Sequence, residues 1–149
     1  MKTLIAVLVL LAFLQTTLIP INLVLIVIIL RAYIKVDLAN LWLAFFFGMF
    51  VAFLGHINLG LTPILYLVLV NVTHLLAKSP LSKNIFSMVP LVVLASVMIE
   101  FLTTQPFGST PRFLPRVVIE GVLSLPIYLI LKVWEDRFVV RSQIKLKMR

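Results

Sequence analysis

Cysteine is absent from this 149-residue chain, which excludes disulfides, thiolate metal ligands and cysteine nucleophiles. Charge is scarce: Asp, Glu, Lys and Arg make up 12% of the residues, roughly half the share of a soluble domain. Acidic residues are scarcest, five against 13 Lys and Arg, for a net charge of +8. The sequence offers no Ser/His/Asp arrangement, no phosphate-binding glycine loop and no carboxylate pair at catalytic spacing. Nothing argues for an enzyme, a metal or another cofactor.

What is present is apolar. Hydrophobic residues account for 62% of the chain, and the mean hydropathy is +1.20. Too little polar sequence is left to cover a soluble surface, so lipid is the expected solvent. The basic residues sit at the ends of apolar runs and in the tail. They read as topology signals and contacts to anionic lipid, not as a nucleic-acid surface.

The chain divides into one domain of about six transmembrane helices. Lys2 and the apolar stretch behind it resemble a signal peptide, but no small-x-small cleavage site follows, so the segment reads as a retained helix. The run from Leu4 to Leu30 would make a helix of about 40 Å, longer than the roughly 30 Å hydrocarbon core. Gln15, Thr16, Thr17, Pro20 and Asn22 interrupt it. The run therefore splits into helices at 3–18 and 20–35, with Pro20 opening the second. A single tilted, kinked helix is the alternative. Further helices are expected at 40–55, 61–77, 84–103 and 116–134, followed by a basic tail at 135–149.

Charge bias orients this arrangement. With the N-terminus inside and six crossings, eleven basic residues fall on the cytoplasmic side: Lys2, Arg31, Lys35, Lys78, Lys83, Lys132, Arg137, Arg141, Lys145, Lys147 and Arg149. Only Arg112 and Arg116 fall outside. Both termini are then cytoplasmic. Trp42 and Trp134 fall at cytoplasmic helix ends, as an interfacial aromatic belt requires.

Several features could carry function. Ala44, Gly48 and Ala52 repeat every four residues, with Gly55 three further on, forming a small-residue face. It serves either packing within the chain or docking of a partner helix. Glu100, Arg112, Arg116 and Glu120 gather near the outer ends of the last two helices. Arg116 and Glu120 are four apart and share a helical face, and Arg112 could reach Glu100 across the loop. The cluster is either a salt-bridge lock or a ligand site that would face outward. His56 and Asn58 lie in an outer turn. His74 near the inner end reads as a helix-to-helix hydrogen bond or an interfacial residue. In the tail, Arg137, Arg141, Lys145 and Arg149 recur every four residues beside Val140, Ile144 and Met148. Lys147 falls in the stretch Ile144 to Arg149, which alternates apolar and basic as a strand would. The tail is either a solvated topology signal or a surface for anionic lipid or a cytoplasmic partner.

Segments in order along the chain resemble the MreD family of rod shape-determining membrane proteins. Pro20, Ile21, Asn22 and Leu23 resemble the proline-led start of its second segment. Leu41 to Gly48 resembles its apolar stretch with an embedded glycine, followed by Leu59 and Gly60. Arg116 to Glu120, Pro126 to Tyr128, and Trp134 to Arg137 resemble its last helix and exit. The family often carries an acidic residue after the helix 3 glycine, where this chain has His56 and Asn58. The resemblance implies a non-enzymatic scaffold in the bacterial inner membrane that takes part in cell shape and cell-wall elongation. It would bind an MreC-like partner and help couple MreB-like filaments to peptidoglycan synthesis by a RodA-like polymerase and its penicillin-binding transpeptidase. It also implies a fold similar to the substrate-binding subunits of energy-coupling-factor vitamin transporters. That fold supplies the alternative function, a small-molecule-binding transporter subunit with a polar cavity around Glu100, Arg112, Arg116, Glu120 and His56. A membrane-embedded enzyme is a third reading.

Overall fold

The computed structural model describes residues 2–18, 21–79, 85–103 and 113–147, with side chains at 2, 85, 103, 113, 114 and 138–147 outside the description. Among the described residues the chain is all-helical, with no strand. The helices are α1 (Lys2–Thr17), α2 (Leu23–Ile34), α3 (Leu38–Leu54), α4 (Leu61–Lys78), α5 (Met88–Thr103) and α6 (Phe113–Lys147), with a short 3₁₀ turn at Ile85–Ser87 before α5.

The long first apolar run is two helices. α1 ends at Thr17, and the Thr16 and Thr17 hydroxyls turn back onto the carbonyls of Ala12 and Phe13. This local bonding competes with helix continuation. α2 starts at Leu23, three residues later than expected, and Pro20 lies outside the described residues. The later start follows from which backbone N–H groups find acceptors, as described below.

α2 is the axis of the molecule. It touches α1, α3, α4, α5 and α6, and every residue from Leu23 to Tyr33 is buried. Its sequence is apolar on all faces, the pattern of a helix surrounded by others. α3 and α4 form the most extensive helix pair, and α5 with α6 the next. Two glycines set these approaches. A Cβ on Gly48 would lie 2.8 Å from the Pro63 Cα on α4, and one on Gly121 of α6 would lie 2.9 Å from Val93 Cγ2 on α5. Ala44 and Ala52 are also fully buried. The small-residue face of α3 is therefore covered by the chain's own α4. Gly55 is not part of that contact; it caps α3 and its added Cβ would meet Ile57.

The outside is as apolar as the inside. Among the described residues, exposed large hydrophobic side chains occur on every helix but α2. Water would penalise such a surface, whereas hydrocarbon does not. α4 and the α6 segment Pro115–Arg137 are each long and apolar enough to cross a membrane. α1, α2, α3 and α5 are apolar but shorter.

The last helix departs from expectation. It runs unbroken for 35 residues, with Pro126 inside it, and takes in most of the segment expected as a separate tail. Residues 144–147 are helical despite their alternation. Extending a formed helix adds one hydrogen bond per ordered residue, and Arg, Lys, Gln and Leu are good helix formers.

Candidate functional site

Among the described residues, the ionisable and amide side chains that link helices inside this apolar bundle form two clusters, one at each end of α2. They can be built from the unsatisfied backbone groups of that helix.

At the N-terminus of α2, Asn22 takes the capping position but its side chain makes no capping hydrogen bond. Other helices supply the acceptors. The Asn22 N–H donates to Glu120 Oε1 on α6 at 2.8 Å, and the Val24 N–H donates to Gln15 Oε1 on α1 at 3.0 Å. A carboxylate at a helix N-terminus also meets the positive end of the helix dipole. These two acceptors favour the start at Leu23, where they meet the first free N–H groups of the helix. The Gln15 side chain further hydrogen-bonds Tyr66 of α4, which is fully buried close to Glu120.

Arg116 joins the same cluster. Its Nε lies 3.4 Å from Glu120 Oε1, and its Nη1 lies 3.0 Å from Glu100 Oε2. One guanidinium thus ties α5 to α6 and serves two carboxylates. Glu120 is only 1% exposed, and its Oε2 has no hydrogen-bond partner. Among the described residues the cluster holds two carboxylates and one guanidinium, beside the N-terminus of α2.

At the other end of α2, Arg31 is buried although the sequence places it in a polar loop. Its Nη1 donates to Asn40 Oδ1 at 2.5 Å. Asn40 Nδ2 in turn donates to the Lys35 carbonyl at 2.6 Å and lies 3.4 Å from His74 Nε2 on α4. Asn40 therefore caps the C-terminal end of α2 and links α2, α3 and α4. Lys35 Nζ lies 3.7 Å from Glu135 of α6. The Tyr33 hydroxyl meets Ser87 Oγ at 2.6 Å, and the Tyr33 ring meets Tyr128 edge-on.

The sequence-expected residues fall as follows. Glu100, Arg116 and Glu120 come together, while Arg112 lies outside the described residues. Glu100 of α5 pairs with Arg116 of α6. His56 is exposed in the turn after α3, with a positive φ of 51°. His74 makes a helix-to-helix contact, to Asn40. Arg137 is exposed. Arg141, Lys145 and Lys147 lie on the α6 backbone with their side chains outside the description, and Arg149 lies beyond it.

Sequence reasoning missed Gln15, Asn22, Tyr66, Arg31 and Asn40 as members of the two clusters. Gln15 and Asn22 were read only as interruptions of an apolar run. Amides inside such a run are costly in hydrocarbon unless they are bonded, and that cost was the available signal.

Two apolar grooves flank α1. One, between α1 and α6, has a volume of about 350 Å³; the other, between α1 and α3, about 590 Å³. Neither is lined by an ionisable residue. Comparison with protein-family models, with curated proteins and with solved structures finds no match to this chain. Fold and site together define an all-helical protein with two helices fit to cross a membrane.

Proposed function

We propose that the chain is a multi-pass inner-membrane scaffold of the MreD type, without enzymatic activity of its own. In this reading all six helices lie within the bilayer and both termini are cytoplasmic. The short α2 fits the reading because it is sheathed by other helices and capped by their side chains. Irregular backbone at membrane depth is tolerated where protein buries it. The function would be to bind an MreC-like membrane partner and to help couple MreB-like filaments to peptidoglycan synthesis by RodA-like and transpeptidase proteins.

The observation that carries the proposal is the closure of the Glu100–Arg116–Glu120 cluster on the N-terminus of α2. Its charged groups are spent on holding helices together. What α3 leaves open is an aromatic face of Trp42, Phe46 and Phe53, suited to another apolar helix. The test is co-purification in mild detergent from cells expressing the elongation proteins. An MreC-like protein should accompany the wild type, and a Phe46→Ala/Phe53→Ala variant should retain several-fold less. Absence of that partner from the wild-type preparation would overturn the scaffold.

The unpartnered, buried Glu120 Oε2 favours a second reading, a substrate-binding subunit of a vitamin-type transporter. A small cationic or hydrogen-bond-donating ligand would complete that oxygen. A panel of such ligands should then raise the melting temperature of the wild type but not of Glu120→Gln.

A further inference from the structure

The groove between α1 and α6 has a feature that the α1–α3 groove lacks. Leu4 and Leu11 of α1 form one wall, Ile127, Ile130 and Trp134 of α6 the other, over Val27 of α2. Leu4 to Leu11 and Ile127 to Trp134 are each seven steps along a helix, about 10 Å of rise. The groove thus occupies most of one leaflet, whose hydrocarbon half is about 15 Å deep. It ends at Trp134, the residue type that settles at the headgroup level.

Beyond Trp134 the same stripe of α6 becomes basic. Helical residues share a face at spacings of three, four, seven and eleven. Arg137, Arg141 and Lys145 follow Trp134 by three, seven and eleven. α6 is continuous through all three positions, and Arg137 is exposed. An apolar slot covering most of one leaflet is therefore followed along α6 by three basic positions, 137, 141 and 145.

The geometry points to a binding site for one glycerophospholipid with an anionic headgroup, its acyl chain between α1 and α6 and its phosphate on Arg137 and Arg141. The site rests on the membrane reading above, and it does not depend on the scaffold role. Two basic residues beside a headgroup give a preference for anionic over zwitterionic lipid of about thirtyfold.

The test uses the full chain purified in detergent and titrated with phosphatidylglycerol or phosphatidylcholine of identical chains, read by native mass spectrometry and thermal unfolding. The wild type should retain one phosphatidylglycerol about thirtyfold more tightly than phosphatidylcholine and melt higher with it. Arg137→Gln/Arg141→Gln should bind both lipids equally. Ile130→Trp, which fills the groove from an exposed position, should lose the bound lipid while melting as the wild type does without lipid. Equal binding of the two lipids by the wild type overturns the site, as does unchanged discrimination in the double glutamine variant. A chain that stays monodisperse without detergent would instead overturn the membrane reading itself.

Discussion

Glu120 answers to two partners at once, the Arg116 guanidinium and the Asn22 N–H. Glu120→Ala leaves a half-buried guanidinium with one partner fewer and a helix N-terminus without its acceptor. The expected loss is about 3 kcal/mol, in the range for breaking a buried pair by removing one member. Glu120→Gln keeps a carbonyl for the Asn22 N–H and should lose less; thermal unfolding of the two variants in detergent checks the order. Gly48 gives a different kind of prediction. Its added Cβ would fall 2.8 Å from backbone on α4, whereas one on Gly60 would meet nothing within 4 Å. Gly48→Ala should therefore cost about 1–3 kcal/mol, the range for overpacking, while Gly60→Ala stays near neutral in the same assay. His56 holds a left-handed backbone, φ 51°, at the end of α3, where the Ile57 N–H closes back onto the Ala52 carbonyl. His56→Gly removes a strain of about 1 kcal/mol and should raise the melting temperature.

At the scale of elements, the apolar runs and the polar residues between them were enough to place six helices. Arg116 with Glu120 was readable too, because four-residue spacing on one helix is local information. The identities of the capping groups were not readable. Glu120 reaches Asn22 across 98 residues of sequence, and Asn40 reaches His74 across 34. Helices that are apolar on every face carry no stripe to say which side meets which neighbour. For that reason the centrality of α2 and the burial of Arg31 lay beyond sequence reasoning, as did the seating of Gly121 against Val93. The small-residue spacing on α3 was visible, but only the structure assigns its occupant, α4. The tail shows the opposite limit. Its four-residue basic spacing reads as a helix and the alternation from Ile144 to Arg149 as a strand. Six residues cannot decide between the two, and the described part to Lys147 continues α6. Asn40 tests the element-scale account. Asn40→Ala breaks its bonds to Arg31 and to the Lys35 carbonyl, and should cost about 2 kcal/mol, the order expected when a buried donor and acceptor lose their partners. Asn40→Asp, which keeps an acceptor for Arg31, should recover part of the loss.

Among the described residues the bundle has an apolar core crossed by a few bonded polar groups, and large apolar side chains also face outward on every helix but α2. Hydrocarbon is the solvent that tolerates such a surface, and in the membrane reading proposed above the basic residues mark the cytoplasmic end. The absence of cysteine makes the decisive measurement direct, because every introduced thiol is unique. Asn58→Cys sits in the turn between α3 and α4, and Ser79→Cys just after α4, at the opposite end of that helix. In intact cells a membrane-impermeant maleimide should label Asn58→Cys and spare Ser79→Cys, which should react only after permeabilisation. Labelling of Ser79→Cys alone in intact cells would contradict the orientation, and equal labelling of both after release in a soluble fraction would contradict the membrane fold.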